Sequence, residues 1–200
     1  MNSIQKHWLQ ILAHIGALAP LALLGWDYTH GNLSFNPVSD IISCTGKAGL
    51  ILLLLSLACT PVVILFGTQG VLRLRRMLGL YAFAYVCLHL VAFVGLDYRF
   101  AFDLVLAELA VRYHLMAGTA SFLILALLAV TSTRSWMRDL GKNWKRLHSL
   151  TYLAAFLAVL HTGLVVRADF TEPLIYGVIL GVLLFVRIPF IRFLLDIRRS

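Results

Sequence analysis

Six apolar stretches of close to twenty residues each divide this chain, at about 8–26, 48–66, 77–95, 114–131, 148–166 and 173–191. About 20 helical residues cross a hydrocarbon core of ~30 Å, and backbone polar groups inside it must be satisfied within the segment, so each stretch reads as a spanning helix. Of the 200 residues 60% are hydrophobic and 13% charged, which leaves no room for a separate water-soluble catalytic domain. A soluble domain would be roughly half apolar and a quarter charged. The expected fold is all-α and integral to the membrane, a single domain over residues 1–200 built as a six-transmembrane-helix bundle. Connections are short except at 27–47 and 96–113, and no low-complexity linker or long repeat is evident. The first apolar run, from Trp8 to Leu24 behind Lys6 and His7, is longer than the ~7–15 residues of a signal-peptide core and reads as an uncleaved first helix.

The charges orient the bundle. With the N-terminus in the cytoplasm, 13 of the 17 basic residues fall inside, among them Lys6, Arg73, Arg75, Arg76, the run from Arg134 to Arg146, Arg187, Arg192, Arg198 and Arg199. Only Lys47, Arg99, Arg112 and Arg167 fall outside, together with seven of the nine acids. The positive-inside rule counts Lys and Arg, so both termini are expected to be cytoplasmic. The net charge of +8 is therefore a statement about topology, and no basic run interleaved with aromatics suggests nucleic acid. In the last span, Arg187 and Pro189 mean either that the helix ends near Val186 or that Arg187 snorkels to the cytoplasmic interface.

Cys44, Cys59 and Cys87 form no CxxC pair, which removes zinc and thioredoxin-like chemistry, and Cys59 and Cys87 read as small core residues. No CxxCH occurs, so a haem here would be b-type and held without covalent attachment.

Ionisable groups at membrane depth are functional candidates by default, and a neutral imidazole is a common iron ligand. His89 lies 13 residues past Arg76 and His161 lies 13 past His148, each therefore roughly 20 Å from the cytoplasmic edge on helices that run the same way. That equal depth predicts His89 and His161 as the two axial ligands of one haem in the outer half of the bilayer. His148 sits at the inner lip and is a further haem-associated candidate, for one or two haems in all. At its level the third helix carries Arg75 and Arg76, which cannot ligate iron but suit a haem propionate or a flavin phosphate. His14 in the inner half of the first helix is a weaker candidate ligand and a potential partner for His148. A spacing of 13 turns about 220°, so His148 and His161 do not share a face on an ideal helix. Against these readings, a histidine in a membrane helix can simply hydrogen-bond a neighbouring helix. His7, His30 and His114 read as ordinary interfacial polar residues. Trp8, Trp26, Tyr28, Tyr98 and Trp144 fit the interfacial aromatic belt, with a stacking role beside a flavin as the alternative for Trp144.

The run Arg73-Leu-Arg-Arg-Met-Leu-Gly79-Leu-Tyr-Ala-Phe83-Ala-Tyr-Val-Cys-Leu-His89 resembles the third-helix signature of the MsrQ (YedZ) family, the haem-binding membrane subunits of the MsrPQ protein-methionine-sulfoxide reductase system. So does the block from Thr131 through Arg138-Asp-Leu-Gly141-Lys-Asn-Trp144-Lys-Arg-Leu-His148 and Tyr152 to His161. Weaker matches are His14 with Pro20, Asn36-Pro37 through Asp40, Thr45-Gly46 and Pro173-Leu-Ile-Tyr176; together they cover essentially the whole chain. The resemblance implies a ferric-reductase-like haem domain, related in plan to the membrane part of NADPH oxidases, with His89, His148 and His161 on the family's haem-associated histidines. It also implies FMN, for which no motif is visible in the residues themselves. His114 departs from the family pattern.

The function expected on this basis is electron transfer across the bacterial inner membrane by a multi-pass subunit. Electrons come from a cytoplasmic flavin reductase or from quinol and go to a periplasmic molybdopterin-containing methionine sulfoxide reductase catalytic subunit, which repairs oxidised envelope proteins. The sulfoxide chemistry would sit on that partner, and the outward acidic loops around 97–108 and 169–172 are candidate docking surface. The alternatives are a stand-alone ferric or quinone reductase of the cytochrome b type, and a non-redox membrane scaffold or transporter.

Overall fold

The computed structural model describes residues 3–166 and 169–188, and the side chains from His7 onward within them. Arg167, Pro189, Arg192, Arg198 and Arg199, the Lys6 side chain and the last three residues of the expected sixth span lie outside that description. The described residues form nine helices and no strand: α1 (Ser3–His30), α2 (Pro37–Phe66), α3 (Leu72–Ala92), α4 (Phe102–Val111), α5 (Tyr113–Val130), α6 (Arg134–Leu140), α7 (Lys142–His148), α8 (Leu150–Val165) and α9 (Thr171–Phe185). A 3₁₀ turn at Gln69–Val71 leads into α3, and a π-helical turn at Phe93–Asp97 ends it.

Five helical segments are long and apolar enough to cross a membrane: His7–His30, Pro37–Phe66, Gln69–Asp97, Tyr113–Val130 and Lys142–Val165. The sixth apolar helix, α9, has 15 described residues, roughly 22 Å of helix, and ends at Phe185, at the earlier of the two ends expected. Arg187 then turns back into the bundle instead of snorkelling outward.

Element boundaries differ from the sequence expectation where caps outweigh hydropathy. α2 starts at Pro37, well ahead of the apolar run at 48, because Asn36 accepts a hydrogen bond from the Ser39 N–H at 3.2 Å, Pro37 fills the first turn and Asp40 favours the helix N-terminus. Its 30 residues amount to about 45 Å, so its first turns project beyond the hydrocarbon. The connection expected at 96–113 contains α4, and the connection before His148 contains α6 and α7.

Two prolines interrupt spans, and the bundle repairs both. Beside Pro20 in α1, the Tyr85 hydroxyl accepts from Leu21 N–H at 3.1 Å and donates to Ala17 C=O at 2.8 Å, bridging the two residues that flank the proline's turn. Pro61 has no N–H to give Leu57 C=O, and the Arg187 guanidinium donates to that carbonyl. Arg187 also donates to the Tyr152 hydroxyl at 2.5 Å and lies 5.0 Å above that ring. α1 is thus latched to α3, and the end of α9 to α2 and α8.

The main packing pairs are α2 with α3 and α5 with α8. Lipid tails are as apolar as leucine, so close van der Waals approach drives such contacts and small residues sit where the helices cross. Ala82, Ala154 and Ala155 are fully buried. A methyl on Gly49 would come within 3.0 Å of Val86, and Ser121 donates to Ala154 C=O at 2.9 Å. The large apolar residues left exposed, such as Leu12, Ile15 and Leu23 on α1, form the lipid-facing surface.

Candidate haem site

α3 and α8 bring His89 and His161 together with ring centroids 6.2 Å apart and ring planes nearly perpendicular, at 83°. Each ring is held by its Nδ1, which bonds Ile42 C=O of α2 at 2.9 Å for His89 and His114 C=O of α5 at 2.7 Å for His161. A carbonyl only accepts, so both Nδ1 atoms carry the proton and each neutral ring keeps its lone pair on Nε2. A hydrogen bond from the second ring nitrogen to a carbonyl is the usual way a ligating histidine is oriented.

The spacing fits a shared metal. Two metal–imidazole bonds of about 2.0 Å, plus about 1.1 Å from nitrogen to ring centre on each side, separate the centroids by about 6 Å. Among the described residues no three His, Cys, Asp or Glu side chains gather to cage a bare ion. Iron held by two protein nitrogens takes its four remaining donors from a porphyrin.

Both rings rest on glycine. A Cβ at Gly46 of α2 would lie 2.9 Å from His89 Nδ1, and one at Gly118 of α5 would lie 2.8 Å from His161 Nδ1. Each imidazole is therefore wedged between a glycine and the carbonyl one turn earlier on the same helix.

The two half-sites are copies, which corrects the expectation of no long repeat. In both, the histidine follows its carbonyl partner by 47 residues. Ile42, Gly46, Gly49, Ala82 and His89 of the α2–α3 hairpin correspond in order to His114, Gly118, Ser121, Ala154 and His161 of the α5–α8 hairpin, at one constant offset. Beyond these positions the hairpins share little except Leu and Ala, so the repeat is carried by contacts more than by identity.

His148 closes α7 at the other, basic end and is built differently. Its Nε2 lies 3.2 Å from the Thr131 hydroxyl, which donates to Leu127 C=O at 2.7 Å. With the hydroxyl proton engaged there, His148 is the donor to Thr131. Trp144 stacks on the ring at 4.0 Å and donates to Thr131 C=O at 2.9 Å, which gives this tryptophan a partner beyond the interfacial belt. α7 runs into α8 through Ser149, whose φ −71° and ψ −19° stay helical, so His148 and His161 lie on one nearly continuous helix and, at a spacing of 13, on different faces of it.

The repeat sets Arg76 opposite His148, and Arg76 is exposed. Arg75 is half-buried and its charge reaches both His148 and Arg187. The Arg187 Nε is buried without a partner. No described acid forms an ion pair with Arg75 or Arg187, so this end of the bundle has unmet capacity for an anion. His14 is not brought to His148: its Nδ1 lies 2.8 Å from the Tyr81 hydroxyl, on the α1–α3 contact.

Gly46, Gly118, the carbonyls of Ile42 and His114, Thr131 and Arg187 have no site role in the sequence reading. Only Thr45-Gly46, as a weak motif match, and Thr131, at the head of the second motif block, gave a signal. His114 joins the site through its carbonyl, and its ring centroid lies 6.1 Å from that of His161.

Comparison with known proteins accords with this geometry. Residues 45–159 match the family described as ferric reductase like transmembrane component. The chain is 46% identical over 185 residues to the protein-methionine-sulfoxide reductase heme-binding subunit MsrQ of Rhodospirillum rubrum, covering 92% of this chain and 89% of that one. It is 46% identical over 179 residues to the subunit of the same name from Xanthomonas axonopodis pv. citri, covering 86% and 82%. Two helix hairpins that each present a carbonyl-anchored imidazole, within a sequence matched along most of its length, place the chain in the MsrQ family of ferric-reductase-like membrane proteins.

Proposed function

We propose that this chain carries electrons through the bacterial inner membrane from the cytoplasmic side to a periplasmic methionine sulfoxide reductase catalytic subunit, using one b-type haem held by His89 and His161. The observation that carries the reading is the pair of Nδ1–H bonds to Ile42 and His114 C=O, which fix two opposed imidazoles in the metal-binding tautomer. The relatives' names, which describe a heme-binding subunit of a reductase, support a role that supplies electrons to a partner. The haem would supply one-electron redox chemistry within the membrane, and two successive electrons with two protons convert a sulfoxide to a thioether and water.

The chain's own residues divide the work. His89 and His161 would hold the haem iron; Gly46 and Gly118 make room for the rings; the buried α2–α3 and α5–α8 contacts fix their separation. Arg75, Arg187, His148 and Trp144 at the basic end suit an anionic aromatic cofactor, with guanidinium groups for phosphate or propionate and an indole for stacking. We assign that end to FMN, reduced by a cytoplasmic flavin reductase or by quinol; the orientation rests on the excess of Lys and Arg there. Haem and flavin quantification on the purified chain tests the reading. One haem and one FMN per chain is the expected result, and a chain that takes up neither contradicts it.

A further inference from the structure

The haem-pair end of the bundle carries one element that the fold does not use. No residue of α4 is buried, and it packs mainly on α5. Leu106 is 64% exposed, and Val111 at the end of α4 and Tyr113 at the start of α5 are 75% and 76% exposed. Arg112, with φ −97° and ψ 110°, breaks α4 from α5 and leaves a hollow of about 360 Å³ lined by Val111, Arg112, Tyr113, His114 and Leu164. The wall of that hollow adjoins the axial pair, because His114 gives its carbonyl to His161 Nδ1 and its ring lies 6.1 Å from the His161 ring.

We propose that α4 and the Val111–His114 elbow are the surface on which the electron-accepting catalytic subunit docks, so that electrons leave the chain beside His161. The proposal rests on the reading of His89 and His161 as haem ligands. Tunnelling falls steeply with distance, so an acceptor protein must seat where the haem pair comes nearest the surface, and the elbow touches one of its ligands directly.

The charges choose a protein over lipid as the occupant. Helices that lie on a membrane carry Lys and Arg on their polar face. α4 has none, and its only charges are Asp103 and Glu108. Arg112 is taken up by Glu108, while Asp97 and Asp103 form no ion pair among the described residues. Arg99, exposed and likewise without an ion pair among the described residues, offsets one of these acids, so the apolar centre keeps a rim of net negative charge, which fits a soluble redox protein whose docking face is apolar with a basic border. Transient redox encounters bury less than about 1,200 Å² in total, a size that a ten-residue helix and its elbow can supply much of.

The test uses haem-loaded protein in nanodiscs, reduced beforehand and mixed rapidly with the catalytic subunit and a methionine sulfoxide, and separately with ferricyanide. Haem reoxidation is followed by absorbance. Leu106→Lys removes apolar contact and sets a like charge against a basic partner; it should slow reoxidation by the catalytic subunit roughly tenfold or more. Ferricyanide reoxidation, haem content and spectrum should stay at wild-type values, and Leu106→Met should behave as wild type. The wild-type partner rate should fall as salt is raised. A Leu106→Lys partner rate within about twofold of wild type overturns the docking surface, as does an equal loss with ferricyanide. Failure of the underlying reading is distinct, since wild-type protein would then carry no haem to follow.

Discussion

Alanine at Gly118 should weaken haem binding while leaving the helix it sits on at least as stable. The added methyl would lie 2.8 Å from Nδ1, 3.1 Å from Cε1 and 3.3 Å from Cγ of His161, where ordinary contact begins at 3.4 Å. The ring has to retreat by about 0.6 Å, and the 2.7 Å bond from Nδ1 to His114 C=O blocks retreat toward the preceding turn of α5. Either that bond lengthens or the imidazole leaves its rotamer, at about 0.5–1.5 kcal/mol for each. Disturbing an outer partner of a ligating histidine typically lowers metal affinity 10–100-fold, about 1.4–2.8 kcal/mol, so either adjustment alone reaches the lower end of that range and both together span it. Replacing glycine by alanine inside a helix meanwhile favours the helix by up to about 1 kcal/mol. The two effects have opposite signs and separate cleanly. Haem titration of the apo-protein by Soret absorbance should show the loss, and thermal denaturation of the same apo-protein should show no fall in midpoint. Gly181→Ala is the control, since nothing lies within 4 Å of its added carbon. Wild-type haem affinity in Gly118→Ala, or equal losses in both variants, would refute the wedge.

Further consequences concern the latches and one outer loop. Tyr85→Phe leaves Leu21 N–H and Ala17 C=O without the hydroxyl that joins them, and should lower stability in a detergent-denaturation assay by about 1–3 kcal/mol with haem content unchanged. Arg187→Met frees Leu57 C=O and removes one of the basic-end cations; it should reduce FMN retention and leave the haem spectrum as in wild type, measured on the same sample. Asp169 is fully exposed, and its hydrogen bonds with Thr171 hold its carboxyl below the usual value of 3.8. A depressed carboxyl pKa contributes order above the ordinary value and loses it as pH falls through the depressed one. Hydrogen-exchange protection at the start of α9, taken relative to the free-amide rate at each pH, should therefore be constant down to about pH 4 and fall only below it, and Asp169→Ala should remove that step.

The sequence exposed the apolar helices and the pairing of His89 with His161 because both follow from length and spacing. Apolar runs near twenty residues marked the spans, and equal distances from Arg76 to His89 and from His148 to His161 marked the shared depth. It hid what depends on single hydrogen bonds. The early start of α2 rests on Asn36 capping Ser39, within a stretch too polar to look like membrane. α4 was hidden inside an acidic connection because ten residues are too few to span. The glycine seats were invisible because nothing in the local pattern says which side chain from another helix will press on Gly46 or Gly118. Arg187 read as a span-ending charge; its inward turn depends on the carbonyl that Pro61 leaves open 130 residues away. The repeat escaped notice because its two copies agree at contact positions and diverge between them.

The central claim is that one haem sits between His89 and His161. Haem content and spectrum of purified His89→Ala, His161→Ala and His148→Ala, compared with wild type, test it most directly. The account predicts one six-coordinate low-spin haem per wild-type chain, loss of most haem in each of the first two variants, and a retained low-spin haem in the third. Wild-type haem content with an unchanged spectrum in His89→Ala and His161→Ala would contradict it.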